Sequence, residues 1–441
     1  MSVGGLEPLC SIVTTDLCAV TRGRPVPARA LETAAATGVG WVPANASLTA
    51  FGSIADPNPW GSHGDLRLRP DLSARFRTGL TGAPTPFDIV CSDIVDLDGA
   101  PWPVCMRTLL RGAAEDLRTA TGLEVIASVE QEFTLLGLDG PPAHPFSVEA
   151  LRRSGAFAPR VYAALADAGC EPEMVLAEYG ADQFEVTCRP APVVAAADRA
   201  VAIREIIREV AREAKLRACF SPKVVPDGVG NGTHFHLSLH DRDGRPATHD
   251  PAGSGGLAPL AAQVCGGILD HLPALVALSA PTAVSYLRLK PHHWSSAYTW
   301  LGDRDREATL RICRGPSFGG RDPAASFNVE YRAADATANP YLVLAGLLRA
   351  GLAAIATGRA APPIVAGDPA AMSEAERLSL GLLRLPETIG LALAVLEADP
   401  VISGMLAPVA LETFLGVRRA EMTLVRDADD ADLCERYKAL Y

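Results

Sequence analysis

No C-x-x-C pair occurs among the ten cysteines, which are scattered from Cys10 to Cys434. A zinc cage or a disulfide framework needs clustered or regularly spaced thiols, so this spacing points to reduced thiols in a cytoplasm. An excess of basic charge is lacking as well. Forty Lys and Arg stand against 51 Asp and Glu, a formal net charge of −11, which argues against a nucleic-acid surface. The opening Met-Ser-Val-Gly-Gly-Leu-Glu offers neither a basic leader nor an apolar core, and no secretory signal is expected. Long apolar runs are missing too. The nearest approaches are Gly256–Leu287, interrupted by Pro259, Asp270, His271, Pro273 and Pro281, and Asn339–Gly358, which carries Arg349. Both are expected to be buried helices rather than membrane spans. There is no internal repeat and no long biased tract.

What remains is a globular composition, 48% apolar and 21% charged over 441 residues, too long for one ordinary core. Residues 9–105 are rich in Gly, Pro and short apolar runs and predict a small β-rich domain. Arg107–Thr121 reads as an amphipathic helix, with Leu109, Leu110, Ala113 and Leu117 on one side, and opens a second unit. Beyond it the patterning predicts strands near 124–136, 174–188, 232–240 and 325–332, and helices near 194–215, 258–270 and 340–356. The charged segment Leu411–Tyr441 is expected to be helical and to pack on the outside.

The chemistry lies on the strands. Side chains on a strand alternate between faces, so Glu130 and Glu132 share one face while Val129, Phe133 and Leu135 share the other. Alone, that pattern describes an ordinary wet sheet face. Glu178-Tyr-Gly-Ala-Asp-Gln-Phe-Glu185 adds one glutamate before a Gly-containing turn and another on the strand after it. Gly230-Asn-Gly-Thr-His234-Phe-His236-Leu-Ser238-Leu-His240 sets three His and a Ser opposite Phe235, Leu237 and Leu239. Its glycine-rich approach is of a kind that brings backbone N–H groups near phosphate. Ser326-Phe-Asn-Val-Glu330-Tyr-Arg332 repeats the alternation. Together Glu130, Glu132, Glu178, Glu185, His234 and Glu330 suit two hard Mg²⁺ or Mn²⁺ ions far better than zinc. Arg288, Arg306, Arg311 and Arg332 supply the opposite charge, suited to a polyphosphate and a carboxylate.

In this order and spacing the motifs resemble the glutamine synthetase family from about residue 90 onward. The residues that carry the likeness are Glu130-Gln-Glu132, then Glu178 with Gly180, Gln183 and Glu185, then Lys223 with the Gly230–Ser238 run. Arg306-Glu-Ala-Thr-Leu-Arg311, Glu330-Tyr-Arg332 and Asn339-Pro-Tyr-Leu342 follow, and Glu435-Arg-Tyr closes the series. Before residue 90 only Asp16…Arg22-Gly23 and Gly64-Asp65…Pro70-Asp71 are similar. The resemblance implies an α+β fold with an N-terminal β-grasp domain (1–106) and a catalytic domain (107–441), whose curved antiparallel sheet lines a funnel-shaped site. It also implies a homo-oligomer, a dodecamer of stacked hexamer rings with sites shared between neighbours.

The same resemblance implies roles. Glu132, Glu178 and Glu185 would hold the metal beside glutamate and the amine; Glu130, His234 and Glu330 would hold the one beside the nucleotide. His236, Ser238, Arg311 and Glu173 match ATP-binding positions. Gly230, Arg288, Arg306 and Arg332 match substrate positions, with Arg306, Arg332 and Glu330 implied in the phosphoryl-transfer chemistry. The implied reaction activates the side-chain carboxylate of L-glutamate with ATP as a γ-glutamyl phosphate, which an amine then attacks.

Three departures from the pattern matter, the first of them at the ammonium site. Trp294 stands where enzymes that use ammonia carry a Glu, and Asn45-Ala46-Ser47 is the only counterpart of an Asp-Gly-Ser-Ser segment that brings a neighbouring subunit's Asp. Both carboxylates of an ammonium site are thus missing, which predicts an organic amine such as a polyamine, ethanolamine or an alkylamine, with Trp294 against its carbon chain. The competing readings are a packing role for Trp294 with another acid serving, a true glutamine synthetase using ammonium, or a non-catalytic scaffold or nitrogen sensor. Val229 replaces an Asn before Gly230, and Asn328 replaces an Arg two residues before Glu330. The segment Gly367–Thr388 lacks the tyrosine of a bacterial adenylylation loop.

Overall fold

A computed structural model describes residues 5–294 and 296–441. Alternating residues near the N-terminus build strands β1 (Leu9–Thr15), β2 (Thr21–Pro27), β3 (Val39–Trp41), β4 (Leu66–Thr78) and β5 (Phe87–Val95). Their order is β2-β1-β5-β4-β3, antiparallel except for the parallel pair β1–β5. The Asp16 carboxylate closes the first hairpin by accepting from the N–H groups of Cys18 and Val20 at 2.8 and 2.9 Å, and it pairs with Arg22. With the helix Leu31–Thr37 packed on β4, this is the expected β-grasp arrangement.

The rest of the chain supplies β6 (Glu124–Leu136), β7 (Pro172–Ala177), β8 (Gln183–Cys188), β9 (Ala191–Pro192), β10 (Arg217–Cys219), β11 (Thr233–His240), β12 (Leu301–Asp303), β13 (Leu310–Cys313) and β14 (Asn328–Tyr331). The sheet runs β12-β13-β14-β11-β6-β8-β7, with β9 and β10 also paired to β6. It is antiparallel apart from the pair β12–β13 at one edge, and it curls nearly into a barrel. The segment expected as a strand at 174–188 is a hairpin of β7 and β8. The one expected at 325–332 shortens to four residues, because Asp322 caps a 3₁₀ turn at Pro323–Ser326.

Helices Met106–Thr121, Val193–Glu213, Pro259–Asp270 and Pro340–Thr357 bury the apolar face of this sheet. Pro340–Thr357 is long and apolar enough to cross a bilayer, but 67% of it is buried inside the protein. Pro259–Asp270 and Leu272–Ser279 form a pair bent by 77°, also largely buried. Asn339 caps Pro340–Thr357: its side-chain oxygen accepts from the N–H groups of Tyr341 and Leu342, while its amide donates to the carbonyls of Thr15 and Asp16. One residue thus starts a core helix and anchors the N-terminal sheet to it.

The terminal segment does not lie outside. It forms Pro408–Leu424 and Asp430–Leu440, and Phe414, Val417, Arg418, Tyr437 and Tyr441 are buried. Arg418 pairs with Glu421 at 2.9 Å and donates to the carbonyls of Pro281 and Leu17. The abundance of charge hid an inward face whose ions satisfy one another.

Arg107 is the electrostatic tie between the two units. It pairs with Asp198 at 2.8 Å, Asp93 at 3.0 Å and Asp71 at 2.7 Å, and Tyr341 donates to Asp198 at 2.6 Å. Asp71 and Asp93 lie on β4 and β5, Asp198 on Val193–Glu213. Arg107→Leu leaves the buried Asp198 and the half-exposed Asp71 without their cation, and Asp93 with only Arg111 and Arg69, a loss of about 3 kcal/mol or more. A clear fall in the urea unfolding midpoint is expected, and an unchanged midpoint would refute this account of the junction.

Candidate active site

Strand register assembles the site. On β6, Glu130 lies opposite His234 of β11 and Glu132 opposite Glu185 of β8. Glu330 of β14 lies opposite both His236 of β11 and Arg311 of β13. Residues directly opposite across antiparallel strands have their Cβ atoms roughly 5 Å apart on one face. Five strands therefore deliver their polar side chains to one continuous surface. Val129, Phe133, Phe184, Val186, Phe235 and Val329 are buried on the other face.

The imidazoles sit among the carboxylates. His234 places Nδ1 at 3.4 Å from Glu130 and 3.6 Å from Glu330, with Nε2 at 3.9 Å from Glu132. His236 Nε2 lies 3.2 Å from Glu130. Two sets have donor atoms mutually within 4.8 Å, Glu130–His236–Glu330 and Glu130–Glu185–His234. The grouping differs from the expected one. His236, expected with the nucleotide, stands in a carboxylate set, while Glu132 and Glu178 line the same cavity without joining either set.

Crowded carboxylates disturb one another's ionisation. Burial, then the charge of Glu132, pushes Glu178 up to about 7. Burial, then Glu130 and Glu132, pushes Glu185 up to about 9. Burial also opposes charge on Glu130 and Glu330, but there positive neighbours prevail. His236 and His234 hold Glu130 well below the usual range, and Arg332, His234 and His236 bring Glu330 to about 2. His236 is itself raised against burial by Glu130.

Asn328 explains how His236 is aimed. Its amide nitrogen donates to the Ser326 carbonyl at 3.0 Å, which fixes its oxygen toward His236 Nδ1 at 2.8 Å. Nδ1 therefore carries a proton, and Nε2 is turned to the carboxylates. The departure from Arg at this position thus places a second-layer partner behind an imidazole.

The glycine-rich approach to β11 also has a different use from the one expected. Gly232 N–H donates to Glu132 at 2.7 Å, so this amide steadies a carboxylate. A Cβ at Gly232 would lie 2.5 Å from Arg288 Nη2 and 2.8 Å from His234 Nε2; one at Gly230 would lie 2.8 Å from the Pro222 carbonyl oxygen. Gln183, quoted in the motif but given no role, donates to the carbonyl of Gly230 and to Asn231 at 2.9 Å each, and to Glu132 at 3.3 Å.

The glutamates Glu130, Glu132, Glu178 and Glu185 share a cavity of about 440 Å³ with Gly230, His234, Arg288, Trp294, Arg306, Arg311 and Arg332. Arg306 is exposed there, whereas Arg288 and Arg332 are buried. Arg332 pairs with Glu330, donates to the Arg306 carbonyl at 2.9 Å and to the Trp294 carbonyl at 3.1 Å. Arg311 pairs with Glu330 at 2.8 Å. Two expected residues stand apart. Ser238 lies beyond His236 and bonds to His240 at 3.1 Å. Glu173 is exposed at the bulged start of β7, outside the lining formed by its neighbours Met174 and Leu176.

Trp294 is 42% exposed, lines the cavity and stacks on Tyr179 with ring centroids 4.4 Å apart. The nearby acid is Glu307, whose two carboxylate oxygens accept from the N–H groups of Trp294 at 2.6 Å and His292 at 3.2 Å. Glu307 thus shapes the loop. Its place in the Arg306–Arg311 motif was the signal that it matters.

Hard oxygen donors with two imidazoles fit Mg²⁺ or Mn²⁺. The fit is supported by His234 Nε2 and His236 Nε2, both buried without a hydrogen-bond partner among the described residues.

Comparison with known proteins agrees with this geometry. The family model of the glutamine synthetase N-terminal domain matches residues 6–102, and that of the glutamine synthetase catalytic domain matches residues 103–437. The chain is 37% identical over 435 residues to gamma-glutamylpolyamine synthetase GlnA3 of Streptomyces coelicolor, covering 97% of this chain and 92% of that one. It superposes on the crystal structure of a glutamine synthase homolog with a TM-score of 0.92 and 48% identity, each chain covered in full. A GmaS–ADP complex superposes with a TM-score of 0.80 at 28% identity, covering 96% of this chain and 95% of that one.

Two measurements test the site. Asn328→Ala is expected to weaken Mn²⁺ binding about 10- to 100-fold by calorimetry, because His236 loses its orientation; unchanged affinity would sink that role. The raised Glu178, Glu185 and His236 favour the metal-free fold in their protonated forms, so their contribution is lost as pH rises through about 7 and then 9. The rise in melting temperature on saturating with Mg²⁺ or Mn²⁺ should therefore grow between about pH 6 and 9, with proton release on binding. An equal rise at both ends would contradict it.

Proposed function

The chain belongs to the glutamine synthetase family of ligases, and on that premise we propose that it joins L-glutamate to an organic amine at the expense of ATP, through a γ-glutamyl phosphate. Members of the family use ATP, divalent metal ions, and glutamate with an amine or ammonia. The observation that carries the narrower reading is the single cavity in which four glutamates and His234 face Arg288, Arg306 and Arg332, with the ring of Trp294 on its wall.

In this reading Glu130, Glu132, Glu178, Glu185, His234 and Glu330 hold the metals, with His236 beside them. Bound there, the ions supply charge neutralisation for the transferring phosphoryl group. His236 and Arg311 face the nucleotide; Ser238, beyond His236, and the exposed Glu173 have no support from their positions. Gly230 and Arg288 belong to the glutamate pocket. Exposed Arg306 is free to meet the transferring phosphoryl group, and Arg332 fixes Glu330 while bracing the amine loop. Glu132, Glu178 and Glu185 hold the metal beside glutamate and the attacking amine. The boundary near residue 106, a cytoplasmic location in keeping with ten free thiols, and stacked hexameric rings complete the proposal.

Phosphate release with ATP, glutamate and a panel of amines tests it. At least one organic amine is expected to exceed ammonium in kcat/KM about tenfold or more. Ammonium outperforming every organic amine would overturn the amine assignment, and no amine-dependent turnover at all would overturn the ligase mechanism.

A further inference from the structure

Lys223 belongs to the family pattern but neither lines the cavity nor joins the carboxylate sets. Its side chain is fully buried, and lysine is almost never sealed from water unless its charge is paired. Here the ammonium group, with three hydrogens to give, donates to the Gly228 carbonyl and, among the described residues, pairs with no carboxylate. Burial pushes its pKa down, and the nearby cations Lys290 and Arg288 add to the fall, against Cys434 and Asp227. A buried cation left in this state costs the fold, and such groups gather where a site has a use for them.

The contact it makes spans a loop. The Asn231 N–H donates to the Pro222 carbonyl at 2.9 Å, which closes residues 222–231 at the neck, and the Asn231 side chain donates to the Ser221 carbonyl at 2.9 Å. At the far end the Gly228 N–H donates to the Val225 carbonyl at 3.2 Å. Lys223 is the brace between neck and tip. Directly after Gly228 come Val229 and Gly230, which line the cavity. Gly230 has no slack, because a Cβ there would lie 2.9 Å from Arg288 Cγ as well as against Pro222. A loop that moves here moves the arginine.

The same ammonium adds charge at the loop's end of the cavity. His293, also on the cavity wall, is pushed down by burial first and then by Lys223 and Lys290. Lys223, Lys290 and Arg288 thus superpose their fields where Val229, Gly230 and His293 line the cavity, and that field favours a carboxylate. Val229 sharpens the demand. Its isopropyl group has neither donor nor acceptor, so the grip of this loop on a substrate comes from its backbone, and the backbone is what Lys223 holds.

We infer that Lys223 is a positioning residue for the acid substrate: it braces the Val225–Gly230 loop against Arg288 and lends its charge to the end of the cavity that receives the carboxylate. This rests on the glutamate-ligase reading above and gives that reading a further residue. Lys223 acts through the loop and through Arg288, without touching the substrate.

The test uses the full-length enzyme with ATP, glutamate, Mg²⁺ and the amine that turns over best, following phosphate release. Lys223→Met keeps the length of the side chain and removes both the hydrogen-bond donor and the charge. Glutamate KM is expected to rise about tenfold or more. ATP KM, and Mn²⁺ affinity by calorimetry, should stay within about twofold. Lys223→Gln, which retains an N–H without the charge, should lie between wild type and Lys223→Met. The melting temperature without ligands should hold, because an uncompensated buried charge is removed and the half-buried Gly228 carbonyl can turn to water. A glutamate KM unmoved by both substitutions would overturn the inference. So would a lowered melting temperature with glutamate, ATP and metal affinities falling together, the signature of a residue that only holds the fold. A wild-type enzyme with no glutamate-dependent turnover would instead overturn the reading on which the inference rests.

Discussion

Mutual repulsion among four glutamates on one sheet face is the constraint that the rest of the structure answers. Nothing in the local preference of a strand favours Glu130, Glu132 and Glu185 on the same surface, with Glu178 just beyond β7. They are held there because the opposite face of each strand is buried, so a shift of one residue would turn Phe133, Phe184 and Phe235 out into solvent. Hydrophobic burial on one side thus fixes an unfavourable charge density on the other. Part of that density is relieved by proton uptake, part by the histidines and arginines threaded among the acids, and the remainder fits divalent cations.

The positive groups are organised as carefully as the negative ones. Glu330 sits between Arg311 and Arg332, and Arg332 extends from it to the backbone of the loop bearing Trp294. Asn328 orders the imidazole of His236 from behind. Two of the three departures from the family pattern, Asn328 and Trp294, therefore fall on residues whose hydrogen bonds set the geometry of the site, and the third, Val229, lines its apolar flank.

Much of this was legible in the sequence because alternation with a period of two is a local property. The strands at β6 and β11, the face shared by Glu130 and Glu132, and the helix capped by Asn339-Pro340 were all readable from a few consecutive residues. What could not be read depends on partners far apart in the chain. Asn328 reaches His236 across β11 and β14, and Glu307 reaches back to Trp294. The C-terminal helices misled for a related reason. Arg418 and Glu421 look like solvent-facing charges until their pairing with each other and with distant carbonyls is seen.

The single guanidinium of Arg107 among Asp71, Asp93 and Asp198 has an evolutionary consequence. Losing the arginine strands Asp198 and Asp71 and leaves Asp93 to Arg111 and Arg69, and losing an acid unbalances the arginine. The set can drift only in concert, through intermediates that are all less fit. The joint between the two units should therefore be among the slowest parts of the molecule to diverge.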